Sequence, residues 1–485
     1  MTKTMRYVPT IGLEVHAELK TRAKMFCACA NDPLEMKPNV NVCPICLAHP
    51  GAMPTINREA VAAVIKFGLA VGGKIATRAH FDRKSYFYPD LPKGYQISQY
   101  EGPLVLGGEL RGVRVTRVHL EEDTGRLLHE LPDHPKSEKP ASFVDYNRAG
   151  VPLMELVTEP DITNGEQALA FAKELQRILR FLRVSDADME KGQMRVEVNI
   201  SLAPEGAKEY GTKVEVKNIN SFKAAADSID CEIRRQTELL EQGGTVIQET
   251  RGWDEKKHAT VSQRSKESAH DYRYFPEPDL PPLTFTKTEI EELFDALPEL
   301  PEAKRMRFMH EFKLSREQAE ALTEDVVLAD YFEAASSELK GKIAEADFGL
   351  LYNYLTSDLR GLANAEGENV LGLNIPPEHL AHLVYLIQLG TLSSRLAKDL
   401  LLAMHETGND PETLMEERSI KKMGGDEELA PIVKEIIEKN PKAVEDFRKG
   451  KESSLQFLVG QGMARTKGQA DPERLRALFR EELTK

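Results

Sequence analysis

The sequence has no uninterrupted apolar run long enough to span a membrane, so no membrane-crossing helix is expected. From Met1 to Thr10 it leads straight into an alternating apolar stretch, which leaves no room for a signal peptide; a cytoplasmic location is the expectation. Positive charge is in short supply as well. Lys and Arg number 64 against 78 Asp and Glu, a net charge of −14. Non-specific coating of nucleic acid requires broad phosphate neutralisation, so any RNA contact must be a local patch. Cysteine is scarce and unevenly placed, with four of five between Cys27 and Cys46 and the fifth at Cys231. An odd, clustered count does not make a disulfide framework. Also missing are a Gly-x-Ser-x-Gly elbow and a Gly/Ser-rich amidase stretch with a paired lysine. Cys231 lies inside a helical pattern (DSIDCEIRRQ), a poor setting for an exposed nucleophile. The chain therefore carries no evident machinery for hydrolysing glutamine, and any ammonia it uses must come from another protein.

What is present divides into three stretches, in keeping with 485 residues at roughly 150 per domain. Ile11, Leu13, Val15 and Ala17 alternate with Gly12, Glu14, His16 and Glu18, the period of a half-buried strand. Arg195–Leu202 and Thr212–Val216 alternate likewise, and the loop between them predicts an antiparallel hairpin. Helical patterns cover Asn57–Leu69, Gly165–Phe181 and Ser221–Glu241. The prolines around Asp279–Pro282 mark a first boundary, after which the pattern is helical to about His405. A second boundary falls at Glu406–Pro411, and short helices broken at Pro441 and Gly460 follow. The expected division is 1–290, 291–407 and 408–485.

Cys27-x-Cys29 and Cys43-x-x-Cys46 place two pairs of thiols across a short loop, the spacing of a tetrahedral zinc knuckle. Four thiolates fill the coordination sphere, so the zinc would be structural. Gly68–Lys74 (GLAVGGK) nearly matches a phosphate-binding loop. Ile75 stands where Ser or Thr is needed, however, and the glycines follow a helix, so the segment reads as a helix end. The acidic residues are more telling. Glu14, His16 and Glu18 share one strand face, HLEED (His119–Asp123) packs three carboxylates together, and Glu155 stands in the apolar run PLMELV. Gathered in one pocket, such groups suit magnesium and its phosphates. Singly, each reads more readily as part of a solvated face or as a salt-bridge partner, except Glu155, which is costly to bury unpaired among Leu, Met and Val. Strand alternation puts Glu121 and Glu122 on opposite faces, and the residues alone leave open which one faces the pocket. Finally, Arg83–Pro89 (RKSYFYP) sets cations beside aromatic rings, which fits base stacking as well as a loop packed on the core.

Taken together, IGLEVHAELKT, the cysteine cluster, YFYPDLPKGYQISQY, HLEEDTGR, DYNRAGVPLMELVTEPDI, VEVKNINSF and FLVGQGMARTKGQADP resemble GatB, the family of B subunits of the tRNA-dependent amidotransferases, essentially end to end. The resemblance implies an α+β architecture: a cradle-shaped catalytic domain on a mixed, largely antiparallel sheet, then two helical domains, the last gripping tRNA. It implies an ATP-dependent ligase component that phosphorylates the side-chain carboxylate of Glu-tRNA(Gln) or Asp-tRNA(Asn) and replaces the phosphate with ammonia. The implied partners are an amidase (glutaminase) and a small third protein, the GatA and GatC components of a heterotrimer, with mischarged tRNA as substrate. Carried over by position, magnesium ligands match His16, Glu122 and Glu155, with Glu14 and Glu121 beside them as catalytic pocket members, and zinc ligands match Cys27, Cys29, Cys43 and Cys46. Lys84, Tyr86 and Tyr88 would meet the aminoacylated 3′ end. The stretch Lys451–Lys485 has seven basic against five acidic residues, the local patch that an acidic chain needs to hold RNA.

Overall fold

Alternation at the N-terminus becomes strand β1 (Tyr7–Glu18), with Ile11, Leu13, Val15 and Ala17 buried on one side. In the computed structural model, which describes residues 6–128, 141–265, 272–418, 425–466 and 469–484, the chain forms two units, Met1–Pro301 and Glu302–Lys485. After β1 the first unit runs through α1 (Arg58–Ala70), β2 (Asp82–Ser85), β3 (Tyr95–Ser98), β4 (Val113–Glu122) and β5 (Pro152–Thr158). It continues through α2 (Gly165–Phe181), β6 (Met194–Pro204), β7 (Val214–Lys217), α3 (Phe222–Glu241), β8 (Glu249–Asp254), β9 (Ala259–Ser265) and α4 (Lys287–Asp295).

Among the described residues the main sheet has ten strands, with a spine in the order β9–β8–β7–β6–β1–β5–β4. Its spine neighbours are antiparallel except β7 and β8, which run parallel. This is an α+β fold with a largely antiparallel sheet. The predicted hairpin is present, with Val198 opposite Val216. Strand β6 pairs far longer with β1, from Tyr7–Pro204 to Ala17–Met194. The parallel β8 carries no such local signature, because parallel pairing is set by a distant crossover.

One face of the sheet is apolar. Leu13, Val15, Leu120, Leu156, Val196 and Val198 join Phe171 and Leu175 of α2 and Ile229 of α3 in one buried core. Both helices begin on caps that the sequence supplies: Asn164 accepts from the Gln167 N–H, and Ser221 from the Ala224 N–H. They cross closely at Gly165, where an added Cβ would lie 2.6 Å from the Ala226 carbonyl oxygen. Segment 68–74 is a helix end: α1 stops at Ala70 and Gly72 takes φ 70°. Helix α4 spans the expected boundary at 290 and packs on α1.

In the second unit, α5 (Val326–Lys342) packs on α6 (Pro377–Gln388), followed by α7 (Ser394–Thr407) and α8 (Pro411–Glu417). The tail helices α9 (Asp426–Lys439), α10 (Pro441–Arg448), α11 (Glu452–Arg465) and α12 (Pro472–Thr484) enclose their own core of Leu429, Val433, Leu458, Leu475 and Phe479. Pro441 opens α10, where a missing N–H costs nothing. Gly460 lies inside α11 and does not break it: the cost of about 1 kcal/mol is offset by burial of Leu455, Leu458 and Val459.

Trp253 is the sole tryptophan and is buried in the first unit, so its fluorescence reports that unit alone. Gly165→Ala should lower the urea midpoint of the Trp253 transition by an amount corresponding to about 1–3 kcal/mol, since backbone must move to admit the methyl. An unchanged midpoint would show that the helix crossing is looser than its geometry.

Candidate active site

Register, more than sequence proximity, assembles the polar face of the sheet. His16 on β1 lies opposite Glu155 on β5, and Glu155 lies opposite His119 on β4, so three adjacent strands present one continuous row. Alternation then brings Glu14 and Glu121 to the same side. His16 Nε2 is 3.4 Å from Glu155, 3.8 Å from Glu121 and 3.8 Å from Glu14. His119 Nε2 is 3.2 Å from the same Glu155 carboxylate. Ser98 donates a 2.9 Å hydrogen bond to Glu121 and fixes that carboxylate from β3.

The electrostatics follow from crowding these charges in a poorly hydrated place. Burial works against a charged His16, yet the hydrogen bond to Glu155 and the charges of Glu155, Glu121 and Glu14 raise its pKa to about 9. Burial likewise resists a charged Glu155, but His119 and His16 hold it well below the usual carboxylate range. For Glu14, burial and the charge of Glu155 outweigh His16 and Lys217 and push its pKa up. The Nδ1 atoms of His16 and His119 are buried without hydrogen-bond partners. A donor set of carboxylate oxygens and imidazole nitrogens, all within 4.8 Å of one another in each of the groups Glu14–His16–Glu155 and His119–Glu121–Glu155, fits a divalent cation.

Not every expected residue joins this group. Glu122 points to the other side of β4. Its carboxylate accepts from the Ile97 N–H at 2.9 Å and pairs with Lys93 at 2.5 Å. There it borders a cavity of about 250 Å³ lined also by Cys27, Cys46 and His49. Of the two adjacent glutamates, Glu121 therefore faces the row. Lys84 approaches from β2, where burial opposes its charge but Glu121, the nearby tyrosines and Glu155 keep its pKa above the ordinary lysine value. Its ammonium sits 5.2 Å from the Tyr272 ring, which meets Tyr86 and Tyr274 edge to face. Tyr86 is thus at the rim of the row, whereas Tyr88 is exposed on the following loop. Sequence reasoning assigns no role to His119, Tyr272 or Tyr274. A signal exists for His119, two residues before Glu121 and hence on its face; the tyrosines come from a segment far along the chain.

The four clustered cysteines also converge. Cys46 Sγ is 3.7 Å from Cys43 Sγ and 3.9 Å from Cys29 Sγ, and all four sulfurs lie within 4.8 Å. A zinc–sulfur bond of about 2.3 Å in a tetrahedron separates sulfurs by about 3.8 Å, so the spacing suits zinc and rules out a disulfide. Cys46 is drawn down to about 4 by the Cys27 thiol, then by the Cys43 N–H and Lys24, which favours the thiolate a metal needs. Lys24, fully buried, ties the knuckle to the sheet unit through the carbonyls of Asn41 at 2.7 Å and Tyr146 at 3.1 Å.

Residues 9–291 match the family model described as the GatB/GatE catalytic domain, and residues 330–483 match the one described as the GatB domain. The chain is 44% identical to the B subunit of the aspartyl/glutamyl-tRNA(Asn/Gln) amidotransferase of Carboxydothermus hydrogenoformans, over 99% of each chain. It is 43% identical to the protein of that name from Thermoanaerobacter pseudethanolicus, over 99% of this chain and 100% of the other. For that of Rippkaea orientalis the identity is 44%, over 99% and 98%.

Two outcomes follow from this geometry. Cys43→Ser should release zinc and lower the midpoint of the Trp253 transition, because structural-zinc binding energy is folding energy; a metal assay showing full zinc retention would contradict it. The second concerns pH. A His16 pKa raised from 6.5 to about 9 means that its charged form stabilises the metal-free fold fully below pH 6.5, and that this is lost as pH rises through about 9. A divalent ion must displace that proton, so its affinity should climb by up to about tenfold per unit between pH 7 and 9 and then level off. Calorimetric titration with Mn²⁺ across this range checks it, and a flat profile would remove His16 from the ligand set.

Proposed function

The chain belongs to the GatB family, the B subunits of the aspartyl/glutamyl-tRNA(Asn/Gln) amidotransferases, and from that premise we propose that it activates the side-chain carboxylate of Glu-tRNA(Gln) or Asp-tRNA(Asn) with ATP and converts it to the amide. The carrying observation is the His16–Glu155–His119 row flanked by Glu14 and Glu121 under Lys84. A free carboxylate resists ammonia until it is given a leaving group. Its oxygen takes the terminal phosphoryl group of ATP and releases ADP; ammonia then attacks the acyl carbon and phosphate departs. His16, Glu121 and Glu155, with His119 beside Glu155, would hold magnesium, which when bound neutralises phosphate charge. Lys84 supplies a second cation at the same place, in a transfer governed by positioning and charge. Glu14, with its raised pKa, is suited to take the proton that ammonia sheds on attack.

The remaining assignments fit this reading. Tyr86 and the exposed Tyr88 would receive the tRNA 3′ end, and the zinc of the cysteine knuckle is structural. Residues 408–485 form a tail domain for tRNA, following a helical domain at 291–407 and the catalytic domain at 1–290. Ammonia comes from the amidase partner GatA, held with the small GatC in a cytoplasmic heterotrimer; Cys231, half-buried in α3, offers no glutaminase nucleophile. No helix among the described residues is long and apolar enough to cross a membrane.

Glu155→Gln in the assembled complex tests the proposal. It should lower phosphorylation of Glu-tRNA(Gln) by about a hundredfold or more while the partner's glutaminase turnover is kept. Undiminished phosphoryl transfer in that variant would sink the site assignment.

A further inference from the structure

A second gathering of metal-ligating groups lies in the helical unit. His382, on α6, and Asp410 and Glu412, at the start of α8, bring one donor atom each within 4.8 Å of the others. The Asp410 carboxylate has two occupations. One oxygen caps α8 by accepting from the Glu412 N–H at 2.9 Å, and the other accepts from His382 Nδ1 at 2.8 Å. When Nδ1–H of the neutral ring donates to that carboxylate, Nε2 is left as the ligating atom, and it lies 3.7 Å from the Glu412 carboxylate. A carboxylate holding one imidazole nitrogen while the other is presented is the arrangement by which histidine ligands are oriented toward metals. One turn back on the same helix, His379 has its own Nδ1 buried without a hydrogen-bond partner. The cluster is accessible from the Glu412 side, where that side chain is 66% exposed against 13% for His382.

We propose that His382 and Glu412 bind a divalent transition-metal ion, with Asp410 as the carboxylate that orients the imidazole. Mixed nitrogen and oxygen donors favour zinc, cobalt or nickel over magnesium. Bound there, the ion clips α6 to α8, two helices already in contact. Its residues belong to the second unit, whereas those of the cysteine knuckle and the sheet row belong to the first.

The test uses the full chain with its knuckle zinc-loaded, titrated with Co²⁺ in the presence of excess Mg²⁺. A saturable equivalent that survives Glu155→Gln should bind, with visible d–d absorption and no thiolate charge-transfer band. Glu412→Gln, which touches neither the helix cap nor the His382–Asp410 bond, should weaken it at least about tenfold. His382→Gln should abolish it, and Glu155→Gln should leave it unchanged. Absence of a saturable equivalent, or one indifferent to both Glu412→Gln and His382→Gln, overturns the proposal.

Discussion

A single carboxylate, Glu155, governs the arrangement of the sheet's polar face. It is buried in the middle strand of a three-strand row, with an imidazole on either side at 3.4 and 3.2 Å. Desolvating an ion costs several kcal/mol even after relaxation, and only well-placed opposite charge recovers it. His16 and His119 provide that charge when protonated, which is why His16 rises to about 9 while Glu155 falls. The balance is tolerable for the metal-free protein, but three carboxylates around two imidazoles leave negative charge in excess. A divalent ion and Lys84 both answer that excess, so the same imbalance that costs folding energy creates affinity for cations.

The site holds its geometry because the opposite face of the same strands is the core. Leu13 and Val15 flank Glu14, Leu120 precedes Glu121, and Leu156 follows Glu155, all part of the one core that residues of α2 and α3 join. A one-residue slip of any strand would turn the ligands into the core and the core into water. The apolar contacts thus set the polar register, and the ligands need no loop to place them. Sites on strands are held more closely than sites on loops, which suits the positioning that the proposed phosphoryl transfer would demand.

Local patterns carry much of this. The alternation of Ile11–Glu18 places β1, the bounds Gly165–Phe181 of α2 are readable from periodicity and its Asn164 cap, and cysteine spacing alone brings the knuckle together. What cannot be read is pairing. That Glu155 sits opposite both His16 and His119 depends on distant segments meeting in one register, and a single sequence contains no local trace of it. The choice between Glu121 and Glu122 is open for the same reason: alternation says that they diverge but not which face is wet. His119 is easily passed over although parity with Glu121 points to it, because a histidine in an apolar strand reads first as core.

The two faces of β4 acquire a further meaning at its end. Glu121 turns to the metal-competent row, and its neighbour Glu122 turns to Lys93 and to the cavity beside Cys27 and Cys46. The strand therefore connects the row directly to the wall of the knuckle, and Gly150 strengthens the link, since its carbonyl accepts from the Met25 N–H and its own N–H donates to the Asp123 carbonyl. Leaving the four cysteines without a metal would loosen the segment around Lys24 and Cys27. That segment reaches β4 through one backbone turn and the residues between. A four-thiolate metal site has no open coordination position, yet it would in this way fix the end of the strand that carries Glu121.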